Sequence, residues 1–100
     1  RTASWTGVPY LYRFLIQNQG PGPFASEAVI EAMQPGDVIQ LGDENQTFYH
    51  TLIVTDTGEI PNTNNILIAS HTNDSLRRPL NTYQFMNIRY LHIEGVRHQT

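Results

Sequence analysis

The sequence predicts an α+β domain, one N-terminal helix followed by an antiparallel sheet, and three observations carry that prediction. Apolar residues recur at helical spacing only near the start, where Val8, Leu11, Tyr12 and Leu15 share one face. From Gln34 onward the apolar period shortens to two. Between the two regimes lies Gln19-Gly20-Pro21-Gly22-Pro23, a run that stops a helix firmly.

Taken in order, residues 8–18 form the expected helix, with Ser4 or Thr6 as its cap and Pro9 in the first turn, where proline is tolerated. Residues 24–33 are ambiguous. Ser26, Glu27 and Ala28 favour a short helix there, and irregular chain is the alternative. The Pro35-Gly36 turn feeds a short strand over 37–41. Residues 47–55 make the clearest strand, with Tyr49, Thr51 and Ile53 on one face and His50, Leu52 and Val54 on the other. A polar loop follows over 56–65, then a buried-looking strand over 66–70 that delivers His71 at its end. Residues 75–85 connect, through Pro79, to a last strand over 88–96. The expected topology is an antiparallel meander in a single domain spanning 1–100.

Composition narrows the function classes. One hundred residues allow at most one domain, and an apolar share of 39% suffices for one core. All six basic residues are arginines and the net charge is -3, so there is no broad basic footprint for nucleic acid or acidic lipid. No apolar run approaches the roughly 18 residues that span a bilayer. The chain contains no cysteine, which excludes disulfides and thiolate metal sites within it.

His50 is the leading candidate for chemistry. A strand interior fixes an imidazole better than a loop does, and a general base needs that fixation. The competing reading is a half-buried histidine that donates to a backbone carbonyl. His71, with Thr72, Asn73 and Asp74, is the second candidate, because a base needs a polar partner on its far nitrogen. Those residues also read as a plain turn, and both readings can hold at once. Trp5 and Tyr10 could line a substrate groove, Trp5 having a core-anchor role as its alternative, and Tyr49 is a further candidate substrate contact. His92 alternates with Tyr90 and Glu94 and reads as structural or exposed; His98 lies in the tail. A zinc site built from His50, His71 and Asp74 ranks last, since no His-Glu-x-x-His and no closely spaced histidine pair occurs. Ser70 has no glycine elbow, and Arg77-Arg78 reads as a solvated turn.

Four segments together carry a resemblance: Ser4-Trp5 before a helix, Pro35-Gly36-Asp37-Val38-Ile39, His50-Thr51-Leu52-Ile53-Val54-Thr55, and Ser70-His71-Thr72-Asn73-Asp74 through Arg78-Pro79-Leu80. In this order they resemble the C-terminal part of the putative bacterial amidase domain, a relative of the NlpC/P60 and CHAP cysteine peptidases. The resemblance implies a papain-like α+β fold and an N-terminally truncated domain. The family's strand histidine maps onto His50 and its strand-end histidine onto His71; Tyr49, Trp5, Asn73 and Asp74 are candidate substrate contacts on the reading of the residues alone. The helix bearing the nucleophilic cysteine would lie upstream of Trp5. The resemblance further implies no cofactor, a peptide or peptidoglycan-type substrate, and a secreted or cell-surface location. The missing thiol keeps a second expectation open, a peptide- or glycan-binding module on the same fold.

Overall fold

The computed structural model describes residues 3–69 and 77–98, with side chains from residue 8 onward. One helix, α1 (Ala3–Gln17), precedes six strands: β1 (Gly22–Ala28), β2 (Val38–Gly42), β3 (Phe48–Asp56), β4 (Leu67–Ala69), β5 (Arg78–Pro79) and β6 (Asn87–Arg97). Short 3₁₀ turns at Ile30–Ala32 and Leu80–Thr82 complete the described elements. The α+β class and the helix-then-antiparallel-sheet order are therefore observed.

The helix starts five residues earlier than its periodicity predicts, so Pro9 lies in its interior rather than in its first turn. Its expected face is the one that packs. Val8 and Leu15 are buried, and Leu11 and Tyr12 sit partly buried against Ala25, Val38 and Leu91 of the sheet. Asn18 then shapes the exit. Its Oδ1 accepts from the Gly20 amide at 2.9 Å and its Nδ2 donates to the Pro23 carbonyl at 2.8 Å, which replaces the helix ladder with side-chain bonds.

Residues 22–28 form a strand, not the short helix that Ser26-Glu27-Ala28 favours. The reason is non-local. β6 supplies a full antiparallel partner for them, from Gly22 opposite Arg97 to Ala28 opposite Tyr90, and Ser26 Oγ donates to the Glu94 carboxylate. The sheet order is β1-β6-β2-β3-β4-β5. β2 to β5 form the expected meander, but the last strand departs from it by returning to lie between β1 and β2. Proline ends the run at the far edge, where β5 is two residues long and Pro79 removes a ladder donor.

Two apolar clusters face away from each other across the sheet. α1 covers the smaller one. The larger gathers Met33, Ile39, Leu41, Leu52, Val54, Ile66, Ile68 and Leu80, all at most 2% exposed, under loop residues rather than a helix. This second face is the one on which His50 continues the row of Leu52 and Val54.

The Pro35-Gly36-Asp37 turn locks β2 into place. Gly36 adopts a φ of 96°, a conformation open to glycine. Asp37 is 2% exposed, and its carboxylate accepts the amides of Gln34 and Ile93, each at 2.9 Å. His92 Nδ1 donates to the same carboxylate at 2.9 Å. His92 is thus structural, one of the two readings its position allowed.

Candidate active site

His50 lies in β3 opposite Leu41 of β2, and the chain between Phe48 and His50 carries a register shift that leaves Tyr49 unpaired. Such a bulge re-aims side chains at the end of a strand. His50 is half-buried while Tyr49 is exposed, so the imidazole keeps one side in the fold and the phenol reaches solvent. The Tyr83 ring meets His50 edge-on, 5.7 Å between centroids at 78°. The imidazole is therefore wedged between a strand and an aromatic side chain, which restricts its rotation.

Tyr83 comes from the turn after β5 and packs against the larger core cluster. Its ring carries the Arg78 guanidinium 3.9 Å from the centroid. Arg78 is itself tied back to Thr82, with Nε 2.6 Å from Oγ1 and Nη2 2.9 Å from the carbonyl oxygen. Nothing in the sequence around Tyr83 marks it, because it lies in a non-periodic connection. Beside it opens a depression of about 560 Å³, lined by Asp43, Tyr49, Tyr83, Gln84, Phe85 and Met86. Aromatic walls with a few polar groups suit a peptide-like ligand better than a phosphate or a strongly charged one.

Of the residues marked by sequence, Tyr49 lines this depression, and His50 reaches it only through its contact with Tyr83. Trp5 lies in α1. His71, Asn73 and Asp74 fall outside the described residues. β4 runs antiparallel to β3, back in the direction of His50, and its last described residue, Ala69, stands opposite Ile53. Among the described residues no three carboxylate or imidazole side chains converge as a metal site would require, and no helix is long and apolar enough to cross a membrane.

A restrained, half-buried imidazole packed against Tyr83, one wall of an aromatic-lined depression, is an arrangement in which proton transfer to a bound substrate is feasible. The comparison with family models gives this a class. The model described as putative amidase domain matches residues 1–93, and the chain belongs to that family. Amide hydrolysis is the activity class that the membership suggests. No curated protein and no solved structure matches the chain.

Proposed function

We propose that the chain is the histidine-bearing part of a papain-like cysteine amidase or endopeptidase, related to the NlpC/P60 and CHAP peptidases, that hydrolyses peptide amide bonds in bacterial cell-wall material. The observation that carries this reading is the placement of His50, fixed on β3 and against Tyr83, a ring that itself lines an open depression, in a chain of an amidase family.

In this mechanism a cysteine thiol from a segment upstream of Trp5 gives its proton to His50, and the thiolate attacks the amide carbonyl carbon. Collapse of the tetrahedral adduct breaks the C–N bond, and the His50 imidazolium delivers its proton to the leaving amine. Water, deprotonated by His50, then hydrolyses the thioester and regenerates the thiol. His71 orients the imidazole from its far nitrogen, and Trp5, Tyr49, Asn73 and Asp74 contact the substrate. The chain contains no cysteine, so by itself it should form no thioester. Secretion or display at the cell surface goes with such a substrate.

The test is His50→Ala in the full-length protein, assayed on cell-wall peptides. The expected loss is about 10²–10⁴-fold in kcat/KM, with the unfolding midpoint little changed. Full activity in that variant overturns the reading. The absence of thiol favours a second one, a binding module whose groove holds a peptide or glycan without turnover. Saturable binding of cell-wall fragments by a full-length protein that also lacks the cysteine would decide for it.

A further inference from the structure

A second depression, about 300 Å³, lies between α1 and the β2–β3 hairpin and is lined in part by Tyr12, Arg13, Gln46, Thr47, Phe48 and Arg89. The Arg89 guanidinium is clamped there on both faces, 3.6 Å from the Tyr12 ring centroid and 3.9 Å from that of Phe48. Gln40 Oε1 accepts from Nε at 2.9 Å and from Nη2 at 2.6 Å. The amide orientation of Gln40 is set by its other bonds: Nε2 donates to the Val8 carbonyl and to Thr51 Oγ1. A guanidinium has five N–H donors in a rigid plane. Two are held by Gln40, and among the described residues no acceptor stands on the others and no carboxylate pairs with the group.

The charge balance of the depression is unusual for a chain of net charge -3. Among the described residues its lining holds two arginines and no acid. Glu27, the acid that acts electrostatically on Arg89, is engaged with the Tyr12 hydroxyl at 2.6 Å. The hairpin wall is rigid: Asp43 Oδ1 accepts the amides of Asn45 and Thr47 at 2.9 and 3.0 Å, and Gln46 is held at a φ of 62°. A stacked, edge-anchored guanidinium whose remaining N–H groups find no acceptor among the described residues matches the planar geometry of a carboxylate.

We infer that this depression binds a carboxylate, with Arg89 presenting the free part of its fork and Arg13 adding charge at the rim. The ligand class is a peptide or amino-acid carboxylate. The inference stands independently of His50 and of any hydrolysis.

The experiment follows the Arg89 Nε–H and Thr47 amide resonances of the ¹⁵N-labelled chain during titration with N-acetylalanine, and separately with N-acetylalaninamide and inorganic phosphate. Saturable shifts with the acid, at an affinity on the order of millimolar, and none with the amide are expected. Arg13→Gln, an exposed substitution that leaves the core alone, should weaken binding about threefold to tenfold. Arg89→Lys keeps the charge and loses the fork, and should abolish saturation if its spectrum stays dispersed. Equal shifts with acid and amide, no saturation, tighter binding of phosphate, or an unchanged affinity in Arg13→Gln each overturn the assignment.

Discussion

Gln40 has no exposed surface, yet every part of its amide is used. It ties the helix at Val8, β3 at Thr51 and β6 at Arg89. Replacing it with leucine keeps the volume but strands a carbonyl, a hydroxyl and a guanidinium, each partly or wholly removed from water. The expected cost is about 2–4 kcal/mol, since a buried group left without its partner costs more than the bond itself was worth. Urea unfolding of Gln40→Leu checks this, and a loss under about 1 kcal/mol would show the joint to be dispensable. In the sequence Gln40 reads as one polar residue in a strand between Ile39 and Leu41. Its burial could not be read there, because the three groups it satisfies lie 11 to 49 residues away. His50 differs in this respect. Its strand and its face were legible from the alternation of residues 48–54, whereas Tyr83, which meets its ring, was not.

Between elements, the Asp37–His92 contact is the point where the start of β2 is fastened to β6. Its hydrogen bond to the Asp37 carboxylate raises the His92 pKa above the ordinary 6.5, and partial burial opposes that only in part. The protonated imidazole is therefore favoured in the folded state. Its contribution is fully present below the unfolded value of about 6.5 and fades as pH rises through the higher folded value. Stability measured by urea should accordingly fall as pH rises from about 6.5 through the higher folded value, and His92→Gln should flatten that slope. A slope unchanged by the substitution would assign the pH dependence to other groups. The same scale shows why residues 24–28 are ambiguous in the sequence and part of a strand in the fold. Ser26-Glu27-Ala28 has a weak local preference for helix, and the antiparallel ladder offered by residues 90–97 outweighs it.

At the scale of the molecule, the order β1-β6-β2-β3-β4-β5 places the last strand inside the sheet, where it joins the first strand to the rest. β6 pairs with β1 along one side and with β2 along the other. Deleting residues 87–98 should thus divide the sheet and abolish cooperative unfolding, even though α1 and the β2–β3 hairpin are untouched. Loss of dispersion in an amide NMR spectrum would register it; a dispersed spectrum with a sharp melt would contradict this account of the topology.

The sequence by itself determined the class of the fold, the helix and its packing face, the β2 to β4 strands, and a histidine on the Leu52–Val54 face of a well-patterned strand. These are consequences of local periodicity and of turn residues such as Pro35-Gly36, which act through the neighbouring backbone. Only the tertiary structure decided that residues 22–28 are a strand, that β6 lies inside the sheet, that His92 is bonded to Asp37, that Tyr83 meets His50, and that Arg89 is clamped between Tyr12 and Phe48. Each of these is a pairing between residues far apart in the chain. Its free energy depends on the partner's position in space, and a pattern read along one segment carries no record of that position.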